Sequence, residues 1–166
     1  MNDIPIEIRR ATEADADTIA VQRAVMFRDM SSLDPSVEGE LLEAATSQIR
    51  EAIASGEYIA WLAHLAGDPQ RIIGGSGVQL RRLFPRPDET GKRVLIGREG
   101  IVLNVYVERD FRRRGLARRL MEVLLDWVRG SDVVRLVLHS SDDGRRLYES
   151  MGFVPTTEMR YTDDLR

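Results

Sequence analysis

Residues 100–130 constrain the fold of this chain more than any other stretch. GIVLNVYV, beginning at Gly100, is a continuous run of apolar and β-compatible residues of the length expected for a buried strand. A charged turn carrying Gly115 follows it. Leu116, Leu120, Val123, Leu124, Trp127 and Val128 then fall on one face of a helix that stops near Gly130, and residues 133–138 read as another buried strand. Two strands joined through a helix lie parallel in one sheet, because the crossover returns the chain in the same direction. The chain is thereby committed to an α/β sheet.

The remaining elements are arranged around that unit. Ile4, Ile6 and Ile8 alternate with Pro5, Glu7 and Arg9 as a half-buried strand does, and Thr12 is placed to cap a helix over residues 13–27. Residues 30–39 hold turn formers, residues 40–55 resume a helical pattern, and Gly56 closes it. Residues 58–65 are almost wholly apolar, Gly67, Asp68 and Pro69 turn the chain, and residues 71–83 return with Gly74, Gly75 and Gly77 among β-formers. This predicts an antiparallel hairpin with a bulge. Residues 84–98 contain Pro85, Pro87, Gly91 and Gly97 among charges, and read as an exposed loop with at most a short edge strand at 94–96, or as a flap over a substrate. Asp142 or Asp143 caps a short helix through Met151, and residues 153–161 offer a last strand. The predicted order is βααβββαβαβ: a mixed α/β fold with a twisted sheet of six to seven strands and four flanking helices, in a single domain over residues 1–166.

Composition narrows the chemistry. The 166 residues are 43% hydrophobic, enough for a sizeable core, and the net charge of −3 is spread over interspersed residues of both signs. Neither nucleic acid nor a membrane is indicated as a partner. The absence of cysteine removes a disulfide scaffold, a thiolate metal site and a Cys-acyl intermediate. The first residues lack the pattern of a signal peptide, and no apolar run approaches the roughly 18 residues that span a bilayer, so a cytoplasmic location is the plain expectation.

Two short motifs carry chemistry. Arg112, Arg113, Arg114, Gly115, Leu116 and Ala117 stand between the strand and the amphipathic helix, where backbone N–H groups converge at the positive end of the helix dipole. Such a turn holds an anion; taken alone, it is equally a basic surface loop whose glycine permits the bend. Further on, Leu147, Tyr148, Glu149, Ser150, Met151, Gly152 and Phe153 end a helix at Gly152 and return Phe153 to the core. Taken alone, Tyr148 is an aromatic at the edge of a core.

In combination, an Arg-x-x-Gly-x-Ala turn after VYV, then a strand, then LYxxxGF, resembles the GNAT superfamily of acetyl-CoA-dependent N-acetyltransferases over about the last two-thirds of the chain. The resemblance implies that the pyrophosphate of acetyl-CoA lies on Arg112, Arg113, Arg114, Gly115, Leu116, Ala117 and Arg118. It implies that the central strand is bulged, that the pantetheine arm pairs like a strand with it at Val105, Tyr106 and Val107, and that Tyr148 protonates the departing thiolate. No metal is implied. The sequence departs from the family pattern at Ser141, where Asn is frequent and where Ser can still bond the pantetheine arm, and at Gly144, where Ala is frequent. The Glu that serves histone-type members as general base is replaced by Ile101.

Direct transfer needs a neutral amine, so a proton must leave it before attack. Glu99 shares a strand face with Ile101 and is a candidate base acting through water, although a solvated acid at a strand entry is its more ordinary role. His139, at the end of the following strand, is a second candidate, weighed against a plain polar residue at a strand end. Asn104, beside the expected bulge, is suited to orienting substrate or water and cannot take up a proton. N–H groups freed near Val105 and Tyr106 suit a developing oxyanion.

Two rival readings stand beside this one: a degenerate acyl-CoA-binding module without turnover, and an RNA-phosphate binder using the arginine turn. Against the second, 6% aromatic residues and a mildly acidic balance supply no broad nucleic-acid surface. The implied acceptor is a small-molecule or peptide amine. Asp29, Asp34 and Glu38 are acids that suit a cationic acceptor or simply face water. The resemblance also leaves room for a homodimer formed through the C-terminal strand.

Overall fold

A computed structural model describes residues 5–162. Strands β1 (Ile6–Arg10), β2 (Tyr58–Leu65), β3 (Asp68–Pro87), β4 (Val94–Val107) and β5 (Val133–Leu138) form one sheet in that spatial order. The first four are antiparallel to their neighbours, and β4 and β5 run parallel, as the crossover required. Helices α1 (Ala16–Asp29) and α2 (Glu38–Ser55) lie between β1 and β2 in sequence, α3 (Leu116–Arg129) joins β4 to β5, and α4 (Asp142–Glu149) follows β5.

Strand β2 shows why helices must cover both faces. Nearly all of it is buried, and its alternate residues divide between two cores. Ile59, Trp61 and Ala63 pack with Leu116, Leu120, Met121 and Leu124 of α3. Tyr58, Ala60 and Leu62 pack with Ile19 of α1 and with Ile49 and Ile53 of α2. The apolar stripe of α3 is therefore the lid of one core, and α1 with α2 is the lid of the other. Gly56 closes α2 in the left-handed conformation, with φ of 74°.

Several expectations are corrected. The reverse turn between β2 and β3 is Ala66–Gly67, so Asp68 and Pro69 already belong to β3. Residues 84–98 are not a loop: β3 and β4 continue as a paired ribbon, with Arg86 opposite Leu95 and Pro87 opposite Val94, and only residues 88–93 connect them. The Asp88 side chain organises that connection by accepting from the N–H groups of Thr90 at 3.1 Å and Lys92 at 3.2 Å. The ribbon stands in solvent, with Phe84 93% exposed, so it carries no burial pattern by which a sequence would reveal it. Residues 153–161 form no strand. Phe153 packs against the core, but every residue from 154 to 161 is exposed, Met159 at 93%, so nothing offsets the entropy of fixing the segment against the edge of β5. The sheet thus has five strands among the described residues rather than six or seven, and the order ends at α4. The expected Ile4 of the first strand lies outside the described residues.

Candidate active site

The central irregularity of the sheet falls in β4. Gly75 pairs with Tyr106 and Gly77 with Leu103, so Asn104 and Val105 stand opposite the single residue Ser76. Asn104 carries the strain of this bulge at φ of 56°. Before the bulge, β4 is paired with β5 from Arg98–Val133 to Val102–Leu138; after Val102 that pairing ends, although β4 runs on to Val107. The two strands part, and the β5-facing edge of β4 from Leu103 to Val107 has no strand beside it among the described residues.

Beyond β4, the chain enters α3 through a turn with Arg113 at φ of 64° and Gly115 at φ of 79°. Gly115 is the N-cap and has no side chain to satisfy the first helical N–H groups; the first backbone bond runs from Arg119 N–H to the Gly115 carbonyl at 3.1 Å. The N–H groups of Leu116, Ala117 and Arg118 thus face outward at the positive end of the helix. A Cβ on Gly115 would meet nothing within 4 Å, so glycine is required there by its backbone conformation and not by crowding from the protein.

The arginines of this turn are not equivalent. Arg112 donates from Nε to the Val107 carbonyl at 2.8 Å and from Nη2 to Asp29 at 2.6 Å, while Arg109 reaches the same carboxylate at 2.7 Å. These two guanidinium groups hold the Asp29 carboxyl below the usual range. Arg114 lies over the Phe111 ring, and Arg118 donates to the Ser150 hydroxyl at 2.6 Å. Arg113 makes no hydrogen bond or ion pair among the described residues and is exposed.

Tyr148 projects from α4 against the α3-side core, in edge contact with Phe153, and burial raises the pKa of its phenol. Ser141 is the N-cap of α4, its hydroxyl accepting from the Gly144 N–H at 3.3 Å. Gly144 has a steric reason: a Cβ there would stand 2.9 Å from Cε2 of Tyr148. The glycine lets the phenol ring lie against the first turn of its own helix.

On the opposite face, the Asn104 side chain accepts from Nη1 of Arg23 at 2.8 Å and donates to the Tyr58 hydroxyl at 2.9 Å. Tyr58 is fully buried, and burial pushes its pKa up to about 12. Its ring crosses the position that a side chain on Gly77 would fill, which explains a glycine in the middle of a strand. Glu99 is 1% exposed, not solvated as its ordinary role would have it. Arg81 bonds one carboxylate oxygen, and Nη1 of Arg135 lies 3.1 Å from the other. His139 is exposed, with Nε2 3.5 Å from Glu158. The structure therefore brings Asn104, Val105 and Tyr106 together at the bulge, close in sequence to the Arg112–Ala117 turn. Glu99 lies on β4 before the point where the strands part, and His139 lies past the end of β5.

Arg23, Tyr58, Arg81 and Arg135 escaped the sequence reading. Arg23 did leave a signal, a charge four residues from Ile19 and four from Phe27 on the apolar stripe of α1. The others meet Asn104 and Glu99 only through strand register.

Comparisons with known proteins agree with this geometry. The model of the Acetyltransferase (GNAT) family matches residues 27–153. The chain belongs to that family. A GCN5-related N-acetyltransferase from Ralstonia eutropha JMP134 superimposes with a TM-score of 0.82 at 25% identity, over 96% of this chain and 99% of the other. A predicted acetyltransferase from Clostridium acetobutylicum, crystallised with acetyl-CoA, shares the fold at a TM-score of 0.77 and 22% identity, over 96% of each chain. The [ribosomal protein bS18]-alanine N-acetyltransferase of Salmonella typhimurium is 42% identical over 65 residues, which are 37% of this chain and 44% of that enzyme. The match thus spans under half the length of that relative.

Proposed function

We propose that this protein is an N-acetyltransferase that moves an acetyl group from acetyl-CoA directly to an amine in a ternary complex. The observation that carries the reading is the parting of β4 from β5 beside an α3 N-terminus whose first N–H groups have no partner among the described residues. A linear amide-bearing arm fits along an unpaired strand edge, and a pyrophosphate fits at the helix start. Val105, Tyr106 and Val107 would pair with the arm. Arg113, Arg114, Gly115, Leu116, Ala117 and Arg118 would surround the phosphates. Arg112, engaged with Val107 and Asp29, would shape the turn rather than meet phosphate.

Tyr148 would donate a proton to the leaving thiolate, since a phenol whose pKa is raised by burial keeps its proton at neutral pH. Ser141, at the head of the same helix, would orient the arm. Both oxygens of Glu99 are occupied by arginines, so its proposed role is to hold Arg81 and Arg135 in place. His139 lies in solvent beside Glu158, and its proposed role is to tether the C-terminal segment. The amine would then lose its proton to water, with Asn104 fixing the geometry of the bulge.

Calorimetric titration with acetyl-CoA and CoA, on wild type and Gly115→Trp, tests the reading. Micromolar binding by wild type, lost in a folded Gly115→Trp, supports it; a folded wild type that binds neither ligand removes it.

A further inference from the structure

We propose that Arg23 is the receptor for an oxyanion carried by the acceptor, so that the substrate is an amine bearing a carboxylate or phosphate group. The proposal deepens the acetyltransferase reading and rests on it. Arg23 is half-buried on α1, with its guanidinium over the Phe27 ring at 4.8 Å and Nη1 bonded to Asn104. Among the described residues it has no carboxylate partner. A cation drawn partly out of water without a counter-charge is costly, and burial lowers its pKa accordingly. The planar fork of its remaining N–H groups matches a carboxylate or phosphate. Its place is also suited to an acceptor: it touches the first residue of the bulge, on the face opposite α3.

The surrounding charge agrees. Leu103 packs against the cluster that contains Ile19, so Ile101 and Glu99, at alternate positions before it, share that face. There Glu99 is flanked by Arg81 and Arg135, two cations against one anion. The three acids from the end of α1 to the start of α2 already have partners. Asp29 holds Arg109 and Arg112, Glu38 lies 3.3 Å from Arg28, and Asp34 accepts from Ser36. Glu158 accompanies His139 at the end of β5.

The test uses matched amines: alanine and alaninamide, phenylalanine and phenylalaninamide, O-phosphoethanolamine and ethanolamine. Acetylation is read as CoA release at saturating acetyl-CoA, with concentrations corrected to the neutral amine, and binding to the CoA-loaded protein is read by calorimetry. The expected result is kcat/KM for one anionic class about 10-fold or more above its neutral partner, because a site built for an ionic contact rejects the analogue lacking it. Arg23→Gln should erase that ratio mainly through KM, and Arg23→Lys should retain part of it. The amino-acid and phosphate pairs distinguish which oxyanion is read. Equal use of neutral partners, or a ratio untouched by Arg23→Gln, overturns the proposal while leaving acetyl transfer standing. A loss equal for both members of each pair places Arg23 at the acetyl group and also overturns it, as does the absence of binding by every amine. If Arg23→Gln does not fold, the wild-type ratio and Arg23→Lys decide. Failure of wild type to bind acetyl-CoA is a separate outcome, and it removes both readings.

Discussion

The Asp29 carboxylate accepts a 2.6 Å hydrogen bond from Nη2 of Arg112, fastening the last residue of α1 to the turn that opens α3. Arg109 completes the clamp from the same side of the turn. One carboxylate therefore links the helix that carries Arg23 to the loop that precedes the outward N–H groups of α3.

Asp29→Asn should release that clamp. With the Asp29 pKa depressed in the folded protein, its stabilisation is present above the ordinary carboxylate pKa near 4 and is lost as pH falls through the depressed value. The melting temperature of Asp29→Asn should lie below wild type at pH 7, and the gap should close in acid. A gap independent of pH would show that the charge of Asp29 does not matter. The same variant should raise KM for acetyl-CoA several-fold, by loosening the turn.

Removing the phenol should separate binding from chemistry. Tyr148→Phe is expected to lower kcat by about 100-fold, the lower range for a lost general acid, with the dissociation constant of acetyl-CoA nearly unchanged. Because burial raises the Tyr148 pKa, the alkaline fall in wild-type kcat should come above pH 10, the ordinary phenol value.

Gly144→Ala should act on the same phenol without touching it chemically. A Cβ placed 2.9 Å from the ring must push Tyr148 aside, so kcat should drop about 10-fold. In a Tyr148→Phe background the added Ala should cost no further activity, and a double-mutant cycle measures this. Additive losses would mean that Gly144 acts independently of the tyrosine.

Gly77→Ala should destabilise the fold by about 1–3 kcal/mol, the usual range for overpacking, because its Cβ overlaps the buried Tyr58 hydroxyl. Chemical denaturation checks the magnitude. Asn104 should lose its bond to Tyr58 in the process, so activity at low temperature should fall as well.

Much of the fold was legible because it is written in periodicity. The stripe of α3 and the apolar runs of β2, β4 and β5 each bury a face, and Gly56 marks a helix end by its left-handed backbone. The ribbon through Phe84 and the segment through Met159 were misread in opposite directions for one reason: both are exposed, and no buried side reports on their pairing. For the site, the Gly115 turn could be read in one dimension, whereas the bulge of β4 was expected only from the resemblance. Arg23 on Asn104, or Arg81 and Arg135 on Glu99, depend on the order of strands and on which helix covers which face, and a single sequence does not state these.

The parting of β4 from β5 has a consequence for how this stretch of chain can change over generations. What the opened edge presents is main chain, which every amino acid except proline carries alike. Leu103, Val105 and Val107 can therefore be selected for how they fill the interior, and drift among aliphatic residues leaves the main chain of that edge in place. An edge opened by ending a ladder early is inherited with the topology, not with the letters of the sequence.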